Sequence, residues 1–353
     1  MNAVRYAKQI KLKGFGLPAQ QLLKNSRVLI VGAGGLGTPC AQYLNAAGVG
    51  TIGLIDADTI SLSNLPRQTL FDEAEVGLSK IEVLSKKLNA QNPATTFICY
   101  PEFLSPENAL ATIKGYDVVI DASDNFGTRY LVNDSCVILN KPFIYGALHE
   151  FEGQVSVLNY QQGPTYRCLF EETAGMTALL NCDDNGVLGI LPALIGTYQA
   201  IETIKIITGI GEPLNGQLLI IDTLTQSHFK ISVQLKAVNK NITALKTSYH
   251  TPQCGIDLSL INATTLQGWI MLQKKIQLID VRTEAEFGTA HFPDSKNIPL
   301  HNLLLRQAEI DILLPVVFIC QSGARSQQAI NLLQKDNSNY QLYSLQGGLS
   351  STL

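Results

Sequence analysis

The sequence predicts an α/β chain with a Rossmann-like, mainly parallel sheet, followed by a second, smaller α/β domain. Three observations carry that expectation. Residues 28–31 (VLIV) form a short apolar run of the kind found in strands buried on both faces. The run passes directly into Gly32, Gly34, Gly35 and Gly37, and then into a helical pattern through Ala41, Leu44 and Ala47. Comparable apolar runs recur at 51–55, 116–121, 278–281 and 316–319, each leading into acidic residues or a cysteine.

Composition narrows the function classes. Hydrophobic residues make up 46% of the 353 residues and charged residues 16%, so the chain can build a large core and is not of the disordered class. A net charge of -3 leaves no basic footprint for nucleic acid. No apolar run is read as a membrane span, and the opening MNAVRYAKQIKLKG lacks a signal-peptide core. The expectation is a cytoplasmic protein with no nucleic-acid or membrane partner, whose seven cysteines stay reduced.

Each element then has its own reason. Residues 5–24 read as helical, with Pro18 opening a second short helix and Arg5 and Lys8 sharing a face. The strand, glycine turn and helix N-terminus that follow offer backbone N–H groups and a positive dipole to a phosphate. Asp56 closes the 51–55 strand, where an acidic side chain can bind ribose hydroxyls. The glycines alone leave NAD(P) and ATP open, with a purely structural turn as the lesser alternative.

The loop 61–71 (SLSNLPRQTLF) favours a triphosphate. Asn64 and Arg67 can grip phosphate oxygens, arginine through its planar fork, and Lys80 on the next helical stretch can add an ammonium. The strand 116–121 delivers Asp121, Asp124 and Asn125 to its carboxyl end, the ligand-binding edge of open α/β sheets. Asp124 suits a magnesium ion and also suits a helix N-cap. After Gly186 comes an apolar helix of about 20 residues, read as core because Gln199, Glu202 and Lys205 interrupt it. Cys182 precedes it, where a helix N-terminus can lower a thiol pKa. Residues 217–235 read as two strands closing a domain over 1–235. A polar linker over 236–261 follows, and the second domain spans 262–353. There Cys320 leaves a buried strand into Gln321-Ser322-Gly323-Ala324-Arg325, with a helix from about Ser326. A thiolate or bound anionic sulfur in such a loop meets N–H groups, a helix dipole and Arg325.

GAGGLG, Asp56-x-Asp58, SNLPRQ, Lys80 in GLSK, DASDN and YGAL…EGQVSV occur in order over about residues 1–235. Together they resemble the MoeB/ThiF family, bacterial relatives of ubiquitin-activating enzymes. DVRTEAEF…AHFP…NIPL…CQSGARS…GG over 262–353 resembles a rhodanese sulfurtransferase domain. The pair is similar to MoeZ-type fusions. That resemblance implies ATP- and Mg²⁺-dependent adenylation of the C-terminal glycine of a ubiquitin-like sulfur carrier ending in Gly-Gly. Sulfur delivery from a Cys320 persulfide would follow, charged by a donor such as a cysteine desulfurase and serving molybdopterin, thiamin or tRNA thiolation. By position it places Gly35 beneath the nucleotide and Asp56 on its ribose. Ser63, Asn64, Arg67, Lys80 and Asn125 would lie along the nucleotide, with Asp124 on magnesium and Cys182 as the thiol that bonds to the carrier. It makes Asp280 and Arg282 structural braces.

Two departures qualify the resemblance. Lys8 in RYAKQ stands where the family has an arginine that reaches across a homodimer, so the charge stays but the bidentate fork goes. The family's two C-x-x-C zinc pairs read Thr165-x-x-Cys168 and Thr251-x-x-Cys254 here. Two thiolates and two threonines make a poor tetrahedral site, so no zinc is expected. The competing readings are a non-catalytic carrier-binding scaffold derived from this family and, on the glycine turn alone, an NAD-dependent oxidoreductase.

Overall fold

The computed structural model describes residues 3–171, 187–249, 259–272, 274–311, 313–334 and 341–351. Two compact units result, Met1–Thr251 and Pro252–Leu353.

In the first unit, helices α1 (Ala7–Ile10) and α2 (Gly16–Asn25) lead into β1 (Arg27–Val31). There follow α3 (Gly37–Ala47), β2 (Thr51–Ile55), α4 (Lys80–Gln91), β3 (Thr96–Tyr100), α5 (Ala109–Lys114), β4 (Val118–Asp121) and α6 (Phe126–Ile138). The unit closes with β5 (Phe143–His149), β6 (Glu152–Leu158), α7 (Tyr166–Leu169), α8 (Ile190–Thr208), β7 (Gln217–Asp222) and β8 (Ser227–Ser232). The eight-stranded sheet runs β3-β2-β1-β4-β5-β6-β7-β8. It is parallel from β3 to β5 and antiparallel from β6 onward. After β1 the chain builds to one side through β2 and β3, then returns to the other side at β4. The carboxyl ends of β1 and β4 therefore form a topological switch point, where an open α/β sheet leaves a crevice.

β1 is central because it can be buried on both faces. Val28 and Ile30 join the cluster that holds Leu44, Leu84 and Ile195, and Leu29 and Val31 join the opposite one with Ile113, Tyr116 and Tyr145. Helix α8 is, among the described residues, long and apolar enough to cross a membrane by composition. It lies instead on the sheet, burying Leu191, Ile195, Gly196, Gln199 and Thr203. Polar anchors fix it there. Gln199 Nε2 donates to the carbonyls of Asp121 at 2.7 Å and Ile144 at 3.2 Å, and Glu202 accepts from Leu214 N at 2.8 Å. Gly146 is required beneath it, since a Cβ there would lie 2.5 Å from Gln199 Nε2.

The polar stretch after β8 does not run free from Lys236 onward. Tyr249 packs among the first unit's core aromatics and donates its hydroxyl to Asp134 Oδ2 at 2.7 Å, while Lys240 Nζ donates to Asn159 Oδ1 at 2.6 Å. Scattered polar residues conceal this, because their partners lie on distant elements.

The second unit comprises β9 (Ser259–Ile261), α9 (Ala263–Met271), β10 (Gln277–Asp280), α10 (Glu284–Thr289), β11 (Lys296–Asn297), β12 (Val316–Ile319), α11 (Ala324–Gln334) and β13 (Leu342–Leu345). Its five strands pair in parallel in the order β11-β10-β12-β13-β9. β12 is fully buried between two apolar clusters, with Phe318 in one and Val317 and Ile319 in the other.

Candidate active site

Crowding shapes the glycine turn at the end of β1. Gly32 has φ +97°, and a Cβ there would lie 2.7 Å from the Ala122 carbonyl. A Cβ on Gly37 would sit 1.9 Å from the Gly32 carbonyl, and one on Gly35 would meet Pro192 of α8 at 2.8 Å. The turn can thus lie against β4 and α8 only without side chains, which lets the N–H groups of Gly34 and Gly35 and the α3 N-terminus face an anion, while Gly32 N is held by the Ile55 carbonyl at 3.0 Å. Asp56, 7% exposed, accepts from Ala33 N at 2.7 Å through Oδ2 and from Asp58 N at 2.7 Å through Oδ1. Burial pushes its carboxyl up, against those two N–H groups and nearby Lys80.

Lys80 is the first residue of α4, nearly buried, and its ammonium lies 2.8 Å from Asp58 Oδ2. Asp58 therefore holds the cation at the mouth of the crevice, beside the strand end that carries Asp56. Arg67 folds its guanidinium onto the Ser63 carbonyl at 2.9 Å, and its own carbonyl lies 3.4 Å from where a Gly35 Cβ would be. The 61–71 loop, carrying Ser63, Asn64 and Arg67, is thereby seated against the glycine turn. Gly189 at the head of α8 abuts the Pro66 carbonyl, so α8 closes on the same loop.

At the end of β4, the cap of α6 is Asn125, whose Oδ1 accepts from Thr128 N at 2.9 Å. The alternative of Asp124 as cap gives way to its neighbour, and the Asp124 carboxylate stays exposed beside the Asn125 amide at 3.4 Å. Asp121 turns inward instead. It is fully buried and accepts from Ser123 Oγ at 2.6 Å, and burial raises its pKa. Both basic residues of the N-terminal pair, Arg5 and Lys8, lie at the surface. Arg5 donates to the Gln91 carbonyl of its own chain at 3.1 Å, and Lys8 is exposed.

In the second unit, Cys320 lies at the end of β12 and is fully buried. Its Sγ accepts from Gly323 N at 3.1 Å and lies 3.6 Å from Ser326 Oγ. Gly323 has φ +99°, which turns that N–H inward, and Gly348 comes so close that a Cβ would lie 2.3 Å from the Cys320 carbonyl. The helix begins at Ala324, ahead of the expected Ser326. Arg325 differs from the expectation more substantially. It makes a bidentate pair with Glu286, at 2.8 Å to each oxygen, which holds the Glu286 carboxyl down to about 2. The thiol is thus cradled by backbone and Ser326, with Arg325 engaged by α10. Buried Arg282 pairs with fully buried Asp280 at 2.8 Å and reaches the loop at Gln321 Oε1, 3.4 Å away, a bracing arrangement.

The profile of the ThiF family matches residues 6–243, and that of the rhodanese-like domain matches residues 263–352. The chain belongs to the ThiF family, in the fusion with a rhodanese-like domain. The "Adenylyltransferase and sulfurtransferase MOCS3" of Drosophila sechellia is 40% identical over 99% of this chain and 82% of its own length. The protein of the same name from Drosophila grimshawi is 39% identical over 99% and 83%. The crystal structure of E. coli MccB with MccA-N7isoASN has TM-score 0.61 at 22% identity, covering 69% of this chain and 75% of that one. E. coli MccB with AMPCPP and selenomethionyl MccA has TM-score 0.60 at 25% identity, covering 67% and 73%. This ThiF–rhodanese protein is accordingly an enzyme of the adenylyltransferase and sulfurtransferase class.

Within the ThiF unit, one of the two cysteines of the zinc expectation, Cys168, can be placed. Its Sγ meets Thr165 Oγ1 at 3.4 Å, Lys236 N at 3.4 Å and Asn239 Nδ2 at 3.5 Å. The Lys236 and Asn239 groups are hydrogen-bond donors to the sulfur, and the Thr165 hydroxyl lies within hydrogen-bond reach of it. Burial raises the thiol pKa, but the donors outweigh it and the net direction is down. Cys254 and Cys182 lie outside the described residues. Three features escaped the sequence reading: the Lys80–Asp58 pair, the closing of α8 on the 61–71 loop, and the Glu286 partner of Arg325. A basic residue just after Asp58 and Glu286 would have signalled charge pairing, but the spacings of 22 and 39 residues leave no local pattern.

Proposed function

We propose that the ThiF unit uses ATP to adenylate the C-terminal glycine of a ubiquitin-like sulfur carrier, and that the rhodanese-like unit supplies sulfur from Cys320. The observation that carries this is the convergence of a bare glycine turn, Asp56, the Lys80–Asp58 pair and the Arg67 loop at one switch-point crevice. The family match and an MccB relative solved with AMPCPP support ATP as the nucleotide.

In this reading Asp56 holds the ribose hydroxyls, while the turn N–H groups receive phosphate oxygens over Gly34 and Gly35. Lys80 swings from Asp58 to the phosphates, and Arg67 and Asn64 align the β,γ portion as leaving group, with Ser63 and Asn125 flanking it. Exposed Asp124 would hold Mg²⁺, which supplies charge neutralisation when bound. The carrier carboxylate oxygen attacks the α-phosphorus, the bond to the bridging oxygen breaks, and pyrophosphate leaves with the acyl-adenylate. Both reactants are anions, so positioning and cationic neutralisation carry the rate. A Cys320 persulfide, charged by a sulfur donor such as a cysteine desulfurase, then attacks the acyl carbon and AMP departs. A second thiol, Cys182 by its sequence context, attacks the Cys320 Sγ of the acyl disulfide; the S–S bond breaks, the carrier leaves as the thiocarboxylate, and the resulting Cys182–Cys320 disulfide is reduced by an external thiol before the next turnover.

We place this chemistry in the cytoplasm and in a homodimer. Ile201 of α8 (42% exposed) and Tyr43 of α3 (55%) line one apolar depression that a second copy would cover. The test is mass spectrometry of a Gly-Gly carrier incubated with ATP, Mg²⁺ and thiosulfate. Replacement of one carboxyl oxygen by sulfur with the wild type, and not with Cys320→Ser, is the expected result. Sulfur incorporation that persists in Cys320→Ser would refute the assigned sulfur route.

A further inference from the structure

Asp121 ends β4, is fully buried, and takes no part in the chemistry above. Its register neighbours on the adjoining strands are Val31 and Tyr145, so sheet packing alone would favour an apolar side chain there. One of its oxygens, Oδ2, has no hydrogen-bond partner among the described residues, and burial raises its pKa. A carboxylate buried in this way costs free energy that an apolar residue would not. What it gains is a grip on one residue. Asp121 Oδ1 accepts from Ser123 N at 3.1 Å and from Ser123 Oγ at 2.6 Å. Arg129, 4% exposed and near enough to offset the Asp121 charge, donates from Nη2 to the Ser123 carbonyl at 3.3 Å. The N–H, the hydroxyl and the carbonyl of Ser123 are thus all held by two buried charged residues.

Asp124 comes next in the chain. Its carboxylate is exposed, with the Asn125 amide 3.4 Å away, which leaves oxygen atoms for a hard cation. A side chain so lightly held takes its position from the backbone on either side. After it the Asn125 cap of α6 fixes the chain, and before it Ser123 does. This strand end also meets the glycine turn, since Ala122 N donates to the Val31 carbonyl at 2.9 Å and the Ala122 carbonyl crowds Gly32. We propose that Asp121 is a positioning residue for the divalent cation of the nucleotide, acting through Ser123 to set the Asp124 carboxylate against the glycine turn. This rests on the reading of Asp124 as a Mg²⁺ ligand. Removing a residue that orients a metal ligand typically costs about 10- to 100-fold in metal affinity.

The experiment is calorimetric titration of the full chain with ATP, once in Mg²⁺ and once in EDTA, with ligand-free thermal unfolding measured in parallel. The quantity read is the factor by which Mg²⁺ tightens ATP binding. Ser123→Ala removes the hydroxyl that Asp121 holds, and should lower that factor about tenfold while leaving metal-free ATP binding unchanged. Asp121→Asn, a neutral isostere, should act in the same direction. An unchanged factor in both variants would overturn the proposal. So would a loss of metal-free binding as large as the loss in Mg²⁺, which is what a merely structural defect produces. Should Asp121→Asn not fold, Ser123→Ala gives the answer alone. Asp124→Asn separates this proposal from the reading beneath it. A wild-type factor in Asp124→Asn would sink the Mg²⁺ assignment itself, whereas a factor lost there and kept in Ser123→Ala would sink only the role of Asp121.

Discussion

The Arg325–Glu286 pair gives the most quantitative handle on the sulfur loop. Glu286 is fixed by a capping box with Thr283 at the head of α10, and both its oxygens meet the Arg325 guanidinium at 2.8 Å. Its carboxyl is lowered from 4.5 to about 2, with the Arg325 hydrogen bonds as the largest cause. Fully realised, that shift would correspond to about 3 kcal/mol. The side chains are 34% and 23% exposed, so solvent screening brings the expected contribution to about 1 kcal/mol. A carboxylate with a depressed folded-state pKa stabilises the fold above its unfolded value. That stability is present above 4.5 and fades as pH falls toward about 2. Glu286→Gln should therefore destabilise the second unit by about 1 kcal/mol at pH 7 and by distinctly less near pH 3. The assay is built in. Trp269, the chain's one tryptophan, lies on α9 edge-on to Tyr343 with ring centroids 5.0 Å apart, so its fluorescence follows urea unfolding of this unit. A pH-independent loss, or none at pH 7, would refute the reasoning.

Other perturbations probe other parts of the account. Gly32→Ala forces a side chain to φ +97° and 2.7 Å from the Ala122 carbonyl, so ATP binding should be abolished and the melting midpoint should fall; intact ATP affinity by calorimetry would contradict the turn's role. Ile201→Glu should convert the proposed dimer to a monomer in light scattering after gel filtration; a wild type that is already monomeric, or an unchanged mass in the variant, would exclude the α8 face as the contact. Among the described cysteines, Cys168, with its lowered pKa, should alkylate with iodoacetamide at neutral pH ahead of Cys40 and Cys136, whose thiols burial pushes up. Peptide mapping that finds Cys40 or Cys136 modified first would show that hydrogen bonds to Cys168 do not set its reactivity.

Much of the scaffold was legible because its signals are local. The apolar run of β1 followed by Gly32, Gly34, Gly35 and Gly37 specifies a buried strand and a turn with no room for side chains, and contacts to Ala122 and Pro192 explain why. The same holds for Cys320 leaving β12 into a loop with Gly323 at positive φ. What stayed hidden depends on partners far along the chain. Arg325 read as a cation for the thiol until Glu286, 39 residues earlier, was seen to claim it. Lys80 reads as a phosphate ligand alone from the sequence, although Asp58 pairs with it at 2.8 Å. Asp124 and Asn125 are adjacent and both good caps by type, so only backbone geometry could assign the role to Asn125. Tyr249 sits in a polar stretch whose docking depends on Asp134, 115 residues away.

The most direct test of the central claim is ATP–pyrophosphate exchange by the full chain with Mg²⁺, in the presence and absence of a ubiquitin-like carrier ending in Gly-Gly. Exchange should require the carrier, persist in Cys320→Ser and be abolished by Lys80→Met. Measurable ATP binding with no exchange for any carrier would contradict that claim, and would favour a carrier-binding scaffold in which Lys8 no longer serves the phosphates.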